Sequence, residues 1–286
     1  MKNLRKKAFL FFFAFLIFSN FLAILVIFDL NKNKFLKVVF FDVGQGDAIF
    51  IETPQRHQIL IDGGPSSIIL EKLAREMPFW DRTIDLVILT HPEKDHLIGL
   101  LEILKNYKVE NILWTGIKRE TSEFKEWEKQ ILKEGSNIKI AQAGQRIIAN
   151  ATNLIILFPL ENLKDKELKD INDSSIVVQL VFYENSFLFT GDISQSVEKK
   201  LTTQYNNLLS DVLKISHHGS RNSNSDNFLE KVSPRIAVIS VGKNNPYGHP
   251  HQEVLNFLEK YGIKIFRTDL NGDIAIISDG HKIKIK

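Results

Sequence analysis

The chain has no cysteine, so no disulfide can brace it and no thiolate can bind a metal; any metal site must be built from His, Asp and Glu. It also lacks a Pro/Gly/Ser-rich linker and any low-complexity stretch beyond its first thirty residues, which favours one folded domain over a string of modules. Nor is there a domain-wide surplus of positive charge. Residues 1–37 carry seven Lys or Arg and one Asp, a surplus of six; removing it from the overall +3 leaves residues 38–286 at −3. The basic character belongs to the first segment, which excludes a broad cationic face for nucleic acid on the rest while leaving room for a local patch.

What the first segment does have is an uncharged run from Ala8 to Phe28, dominated by Phe, Leu and Ile. As a helix it would extend roughly 31 Å, enough to cross the hydrocarbon core of a bilayer. A signal peptide would have a shorter apolar region ending in a small-x-small cleavage site, and no such site follows Ala23. The expectation is therefore a basic N-terminus over residues 1–7, an uncleaved transmembrane anchor over 8–28, a linker over 29–36 and one large domain over 37–286. Lys2, Arg5, Lys6 and Lys7 precede the span, while Lys32, Lys34 and Lys37 follow it. The positive-inside rule, applied to the first group, places the N-terminus in the cytoplasm and the domain outside, as a single-pass cell-membrane protein.

Within the domain, short runs of Val, Ile and Phe alternate with helical patterns, as in an α/β protein. Strands are predicted over 37–41, 48–52, 58–61, 86–89, 111–114, 154–158, 175–182, 186–190, 236–240, 264–267 and 273–277, with a short one from Asp211 to Ser216. Helices are predicted over 67–77, 95–105, 120–134, 194–203, 227–232 and 252–260. One internal echo stands out. Asp47 to Glu52 turns back through Gln58 to Ile61 into Asp62-Gly63-Gly64, and Ser175 to Phe182 turns back through Ser186 to Thr190 into Gly191-Asp192. Two such hairpins would deliver Asp62 and Asp192 to the same edge, although an Asp-Gly turn accounts for either one alone.

The densest chemistry is Thr90-His91-Pro92-Glu93-Lys94-Asp95-His96, at a strand-to-helix junction. Imidazoles and carboxylates so close together suit zinc, manganese or iron, whereas a helix-capping loop would not need two histidines. A second cluster is His217-His218-Gly219-Ser220-Arg221 at a strand end; one histidine is the expected ligand, with His217 favoured over His218. Ser220 and Arg221 could hold an anion there, the plain alternative being a solvated loop. The third is the turn-rich loop Lys243-Asn244-Asn245-Pro246-Tyr247-Gly248-His249-Pro250-His251, in which His249 is a general-acid or substrate-contact candidate and His251 a helix-start residue. Six of the eight histidines thus fall in three strand-end loops, which argues for one shared site. His57 and His281, beside hairpin turns, carry no role. Asn172-Asp173-Ser174-Ser175 reads as a turn before a long strand.

Taken in order, His91-x-Glu93-x-Asp95-His96, Gly191-Asp192 and His217-His218-Gly219-Ser220 resemble the metallo-β-lactamase superfamily. More narrowly, Phe41-Asp42-Val43-Gly44-Gln45-Gly46-Asp47-Ala48, Leu60 to Gly64, Asn172 to Ser175, Leu213 to Ser220 and Asn245 to Pro250 resemble the metallo-β-lactamase-like domain of ComEC competence proteins, over about Lys37 to Ile277. The resemblance implies a four-layer αββα sandwich and a hydrolase with one or two divalent ions, zinc or manganese. It implies a first site of His91, Glu93 and Asn172 or Asp173, a second of Asp95, His96 and His217 or His218, and Asp192 between them. Asp62 would orient ligands, and Gln45 and Asp47 would line the loop beside the ions, with Ser220, Arg221, Lys243, Asn245 and Tyr247 as further contacts. Glu93 departs from the histidine usual in the superfamily, and no isolated histidine fills the third motif; an oxygen-rich first site shifts preference toward manganese, or leaves a single-ion enzyme.

The function the resemblance implies is phosphodiester hydrolysis outside the membrane, on DNA as in ComEC proteins, with Asp95 as proton acceptor and His249 as donor to the leaving group. Transport is not implied, because this chain has one span, so any channel would be a separate membrane protein. The alternatives are hydrolysis of a cell-envelope phosphodiester or a small ester or lactam, toward which the −3 charge points, and a non-catalytic metal- or DNA-binding module in which Glu93 marks a decayed site.

Overall fold

A computed structural model describes residues 2–32 and 35–286, and the chain divides into two compact units between Phe35 and Leu36. The first unit is one helix, α1 (Lys2–Lys32). Its stretch Arg5–Val26 is long and apolar enough to cross a membrane, and those side chains are not packed against protein. The helix runs past the expected span and through residues 29–32 of the expected linker, since no Gly or Pro interrupts Asp29-Leu30-Asn31-Lys32. Residues 33 and 34 of that linker, Lys34 included, lie outside the described residues.

The second unit holds two sheets. The larger has eight strands, β1 (Leu36–Phe40), β2 (Ile49–Glu52), β3 (Gln58–Ile61), β4 (Thr83–Ile88), β5 (Lys108–Trp114), β6 (Asn137–Ile140), β14 (Ile274–Ser278) and β15 (Ile283–Ile285), in the order β15-β14-β1-β2-β3-β4-β5-β6. The other has seven, β7 (Arg146–Ala149), β8 (Thr152–Phe158), β9 (Val177–Phe182), β10 (Asn185–Phe189), β11 (Val212–Lys214), β12 (Ile236–Ile239) and β13 (Lys264–Arg267), in the order β13-β12-β11-β10-β9-β8-β7. Strands β3 to β6 are parallel, as are β10 to β13. Their crossovers are the helices α2 (Ile68–Glu76), α3 (Lys94–Asn106), α4 (Ser122–Glu134), α5 (Gln195–Gln204), α6 (Asp226–Val232) and α7 (Gln252–Lys260), and the short α8 (Thr268–Asn271) precedes β14.

Period-two alternation separates the layers. In β1, Leu36, Val38 and Phe40 face the other sheet, meeting Phe187 and Phe189 of β10, while Val39 and Phe41 face α2 and α3. A helical layer of Leu97, Leu100, Phe124 and Trp127 covers the first sheet, and Val197, Leu201, Phe228 and Leu258 cover the second. This is the expected αββα sandwich. The unpredicted strands β6, β7 and β15 are three or four residues long, half-exposed and at or next to sheet edges, where alternating polar residues weaken the apolar signal.

One close approach fixes the geometry that follows. Gly63 N donates to His96 O at 2.8 Å and Gly99 N to Gly64 O at 2.9 Å, which clamps α3 against the loop after β3. A Cβ at Gly99 would lie 1.8 Å from Gly63 O. Alanine is the better helix former by about 1 kcal/mol, but overpacking here costs about 1–3 kcal/mol, and no side chain can move aside because the obstacle is backbone. Gly99→Ala should therefore lower the urea midpoint; an unchanged or raised midpoint would contradict the clamp.

Candidate metal centre

The loops that follow β1, β3, β4, β10, β11 and β12 converge on one edge of the sandwich. Asp62 follows β3, His91 and His96 follow β4, Asp192 follows β10, and the His217-His218 pair follows β11. The two hairpins noted in the sequence, β2–β3 and β9–β10, do end on one residue: Asp62 Oδ2 lies 2.8 Å from His96 Nδ1, and Asp192 Oδ2 lies 3.5 Å from His96 Nε2.

Four residues, Asp95, His96, Asp192 and His218, bring ligand atoms within 4.8 Å of one another. His218 Nε2 is 3.3 Å from both Asp95 Oδ2 and Asp192 Oδ2, and its Nδ1 donates to Ser240 O at 2.8 Å. The geometry thus selects His218 over His217, whose ring is partly exposed and whose Nε2 stands 3.9 Å from Asp192. Both histidines have positive φ, 49° and 53°, a conformation non-glycine residues rarely adopt. This turn presents the buried His218 ring to the carboxylates, a strained backbone held by its surroundings.

The donor set fits a cation on its own evidence. Nε2 of His91, His96 and His218 is buried and makes no hydrogen bond, a condition that costs free energy unless something else occupies the space. Their other ring nitrogens are engaged: His96 with Asp62, His218 with Ser240 O, and His91 with Thr90 Oγ1 at 3.1 Å and Ser175 Oγ at 3.2 Å. Such outer partners fix tautomer and ring orientation in metal sites. The protonation pattern agrees. Burial opposes charge on His96 and His218, yet the carboxylates outweigh it, raising His96 well above its usual range and His218 to about 10. Asp192 is correspondingly low, because His218, His96 and Lys214 overcome the penalty of burial. In Asp62 burial wins, and its carboxyl is raised.

Lys214 is a member of the site that the sequence reading passed over. It ends β11 on the face of Val212, which alternation places between the sheets, and it is fully buried. Its Nζ pairs with Asp47 Oδ2, donates to Gly191 O at 3.0 Å and reaches Asp192 Oδ1 at 3.4 Å. Burial opposes its charge, but Asp47 and Asp192 raise its pKa. A lysine alternating with Leu213 and Ile215 in an apolar strand was the available signal.

The other expected residues divide. A cleft of about 240 Å³ is lined by Gln45, Glu93, Asp95, Asp170, Asn172, Asp192, His217, His218, Tyr247 and His249. Glu93 reaches the cleft, but its carboxylate pairs with Arg119 at 2.9 Å and does not join the four-residue group. Burial raises its pKa against the lowering by Arg119. Asp173 is withdrawn altogether, since its carboxylate accepts from Ser194 N at 3.2 Å and Ser196 Oγ at 3.0 Å; only Asn172 faces the cleft. Gln45 Oε1 accepts from Gly242 N, tying two loops together. Asn245 works within its own loop, donating to Gly242 O and His249 O, and Tyr247 stacks on His249 at 5.7 Å between ring centroids. Three expected contacts lie outside the cleft lining. Arg221 extends toward Glu253, the Ser220 hydroxyl accepts from Asn222 N in a local turn, and Lys243 is exposed. His249 is lowered to about 4 by burial and by His218 and His217, so at neutral pH it is an uncharged imidazole. His251 does start α7, and its Nδ1 also accepts from Arg221 N.

A two-sheet sandwich with an acid-histidine cluster at the strand ends is the architecture of metal-dependent hydrolases. The profile of the metallo-beta-lactamase superfamily matches residues 41–243, and the chain belongs to that superfamily. Among curated proteins it is 34% identical over 252 residues to ComE operon protein 3 of Bacillus subtilis (strain 168), covering 82% of this chain and 32% of that protein. It is 33% identical over 237 residues to competence protein ComA of Neisseria gonorrhoeae, covering 82% and 31%. The chain therefore spans about a third of the length of these relatives. In fold it resembles the metallo-beta-lactamase fold protein YhfI from Bacillus subtilis, with a TM-score of 0.58 and 11% identity over 85% of this chain and all of that one.

Two outcomes check the centre. Lys214→Met would leave Asp47 and Asp192 buried without their cation and should cost about 3–5 kcal/mol in urea unfolding with a chelator present; a loss of only about 0.5 kcal/mol, the range of surface substitutions, would count against it. Asp62→Ala frees the His96 ring and should weaken binding of zinc or manganese about 10- to 100-fold by calorimetry. Unchanged affinity would mean that Asp62 does not orient His96.

Proposed function

We propose that the chain is a membrane-anchored, extracytoplasmic phosphodiesterase acting on DNA, with Asp95, His96, Asp192 and His218 as the residues that hold a divalent cation. The observation that carries this reading is the four-residue group, three of its members buried and its imidazole Nε2 atoms without a hydrogen bond, in a chain similar to competence proteins over most of its length. A divalent cation, zinc or manganese, would supply Lewis-acid polarisation of a phosphoryl oxygen and activation of water there.

The chain's own residues do the rest. Asp62 orients His96, Ser240 orients His218, and Lys214 restrains Asp192. Asp95, more exposed than Asp192, is placed to accept a proton at the cleft floor. His249, uncharged and stacked under Tyr247, offers an imidazole N–H to the substrate and lacks the charge of a strong acid. Glu93, Asp95 and Asp170 make the cleft acidic, so a phosphodiester enters favourably only once a cation has offset them. The cleft of about 240 Å³ has room for one backbone linkage, and an unpaired strand is the form we assign to it. The anchor reading rests on α1, and the domain's position outside rests on the basic residues before it. A separate membrane channel as partner belongs to the same reading.

The small cleft and the −3 charge of residues 38–286 also favour a second substrate class, a cell-envelope phosphodiester or small ester. The full chain in detergent with manganese or zinc should cleave single-stranded DNA and a model phosphodiester faster than duplex DNA or a small ester. Asp192→Asn should reduce the rate to background. Cleavage of the ester alone would favour the second class, and full activity in Asp192→Asn would remove the proposed centre.

A further inference from the structure

The edge of the sandwich opposite the cleft carries most of the domain's exposed apolar side chains. Strand β1 starts there at Leu36, opposite Ser278 of β14, and Lys37 pairs with Glu52, which pairs with Gln58. Gln58 Nε2 donates to Asp81 at 2.8 Å, which places the loop bearing Phe79 and Trp80 on this edge. The β9–β10 turn arrives from the other sheet, with Glu184 N donating to Gly280 O at 2.9 Å and bringing Tyr183 beside it. Leu209 follows through Ser186 Oγ, and Ile148 through the pairing of Ala149 with Thr152, itself opposite Phe182.

Phe79, Trp80, Tyr183, Leu209 and Ile148 are 81%, 71%, 64%, 59% and 66% exposed. They are five of the nine large hydrophobics exposed among the described residues after Leu36. The cleft edge offers Tyr247, Leu270 and the marginally exposed Ile68. Five large apolar side chains left in water at the same end of the strands are what a contact surface needs.

We propose that this edge rests on the lipid bilayer surface, with Phe79 and Trp80 inserted among the headgroups, so that the cleft faces away from the membrane. The inference rests on the reading of α1 as an anchor. α1 ends at Lys32 and β1 starts at Leu36, four residues on, a step of at most roughly 14 Å. Under that reading, the edge bearing Leu36 is the part of the domain that follows the anchor in sequence. Trp, Phe and Tyr are the side chains that favour that layer. Charges of both signs, Lys282 with Glu184 and Asp279, lie near the same turn, so the contact is apolar and does not require anionic lipid. The cleft then stands about one strand away, roughly 17 Å for a strand the length of β1, open to substrate arriving from the aqueous side.

Tryptophan fluorescence reads this directly, because Trp114 and Trp127 are buried and Trp80 is exposed. The full chain is reconstituted in phosphatidylcholine vesicles, with and without bromine on the upper acyl carbons, and flotation is recorded in parallel. The expected result is flotation, with emission quenched and shifted to shorter wavelength in brominated vesicles, and with quenching abolished in Trp80→Phe. Flotation with equal emission in both vesicles overturns the resting edge while leaving the anchor intact, and would assign the patch to a protein partner. Failure to float overturns the anchor and this inference together.

Discussion

A buried network of opposite charges organises the cleft edge of the sandwich. Lys214 lies between Asp47 and Asp192, and His96 lies between Asp62 and Asp192, all of them essentially withdrawn from water. Groups of this kind are destabilising unless each is paired and hydrogen-bonded. The surrounding chain meets part of that requirement: Thr90 donates to Asp62, the Gly191 carbonyl accepts from Lys214, and Ser240 O holds the neighbouring His218, while the Gly63–Gly99 clamp keeps α3 close enough for His96 to take part. Among the described residues, Nε2 of His91, His96 and His218 and Asp47 Oδ1 are buried here without a hydrogen bond. The network therefore leaves donor atoms of the kind that suit a cation.

Much of this was legible in the sequence because it depends on short-range order. The αββα sandwich follows from alternating apolar runs and helical patterns, and the ligand loops follow from histidines and acids set at strand ends. Asp62 and Asp192 were readable from the repeated hairpin. Less was legible where a side chain's partner comes from afar in the chain. Asp173 looked like a ligand until Ser194 and Ser196, some twenty residues on, claimed its carboxylate. Arg221 looked like an anion contact, yet it extends toward Glu253 on α7. Choosing between His217 and His218 required two backbone angles that no composition encodes. Lys214 was readable only as a charged residue set among apolar neighbours in a short strand, and its partners, Asp47 and Asp192, are likewise distant in the chain.

Glu93 connects the structure to the question of how many ions the centre takes. Its pairing with Arg119 removes a carboxylate from the position where the superfamily pattern has a histidine. His91 keeps an unpartnered Nε2 but stands outside the group of four. The ligand atoms of Asp95, His96, Asp192 and His218 thus lie within 4.8 Å of one another, whereas a first site would need Glu93 to exchange Arg119 for a cation. The proposed essential ion therefore falls to Asp95, His96, Asp192 and His218.

That assignment is tested most directly by metal content. The purified full chain, saturated with manganese or zinc and freed of loose ions by gel filtration, should retain at least one ion per chain by elemental analysis. A variant combining Asp192→Asn with His218→Ala, shown by circular dichroism to remain folded, should retain almost none. Equal retention by the two proteins, or no ion in the unmodified chain, would contradict the account.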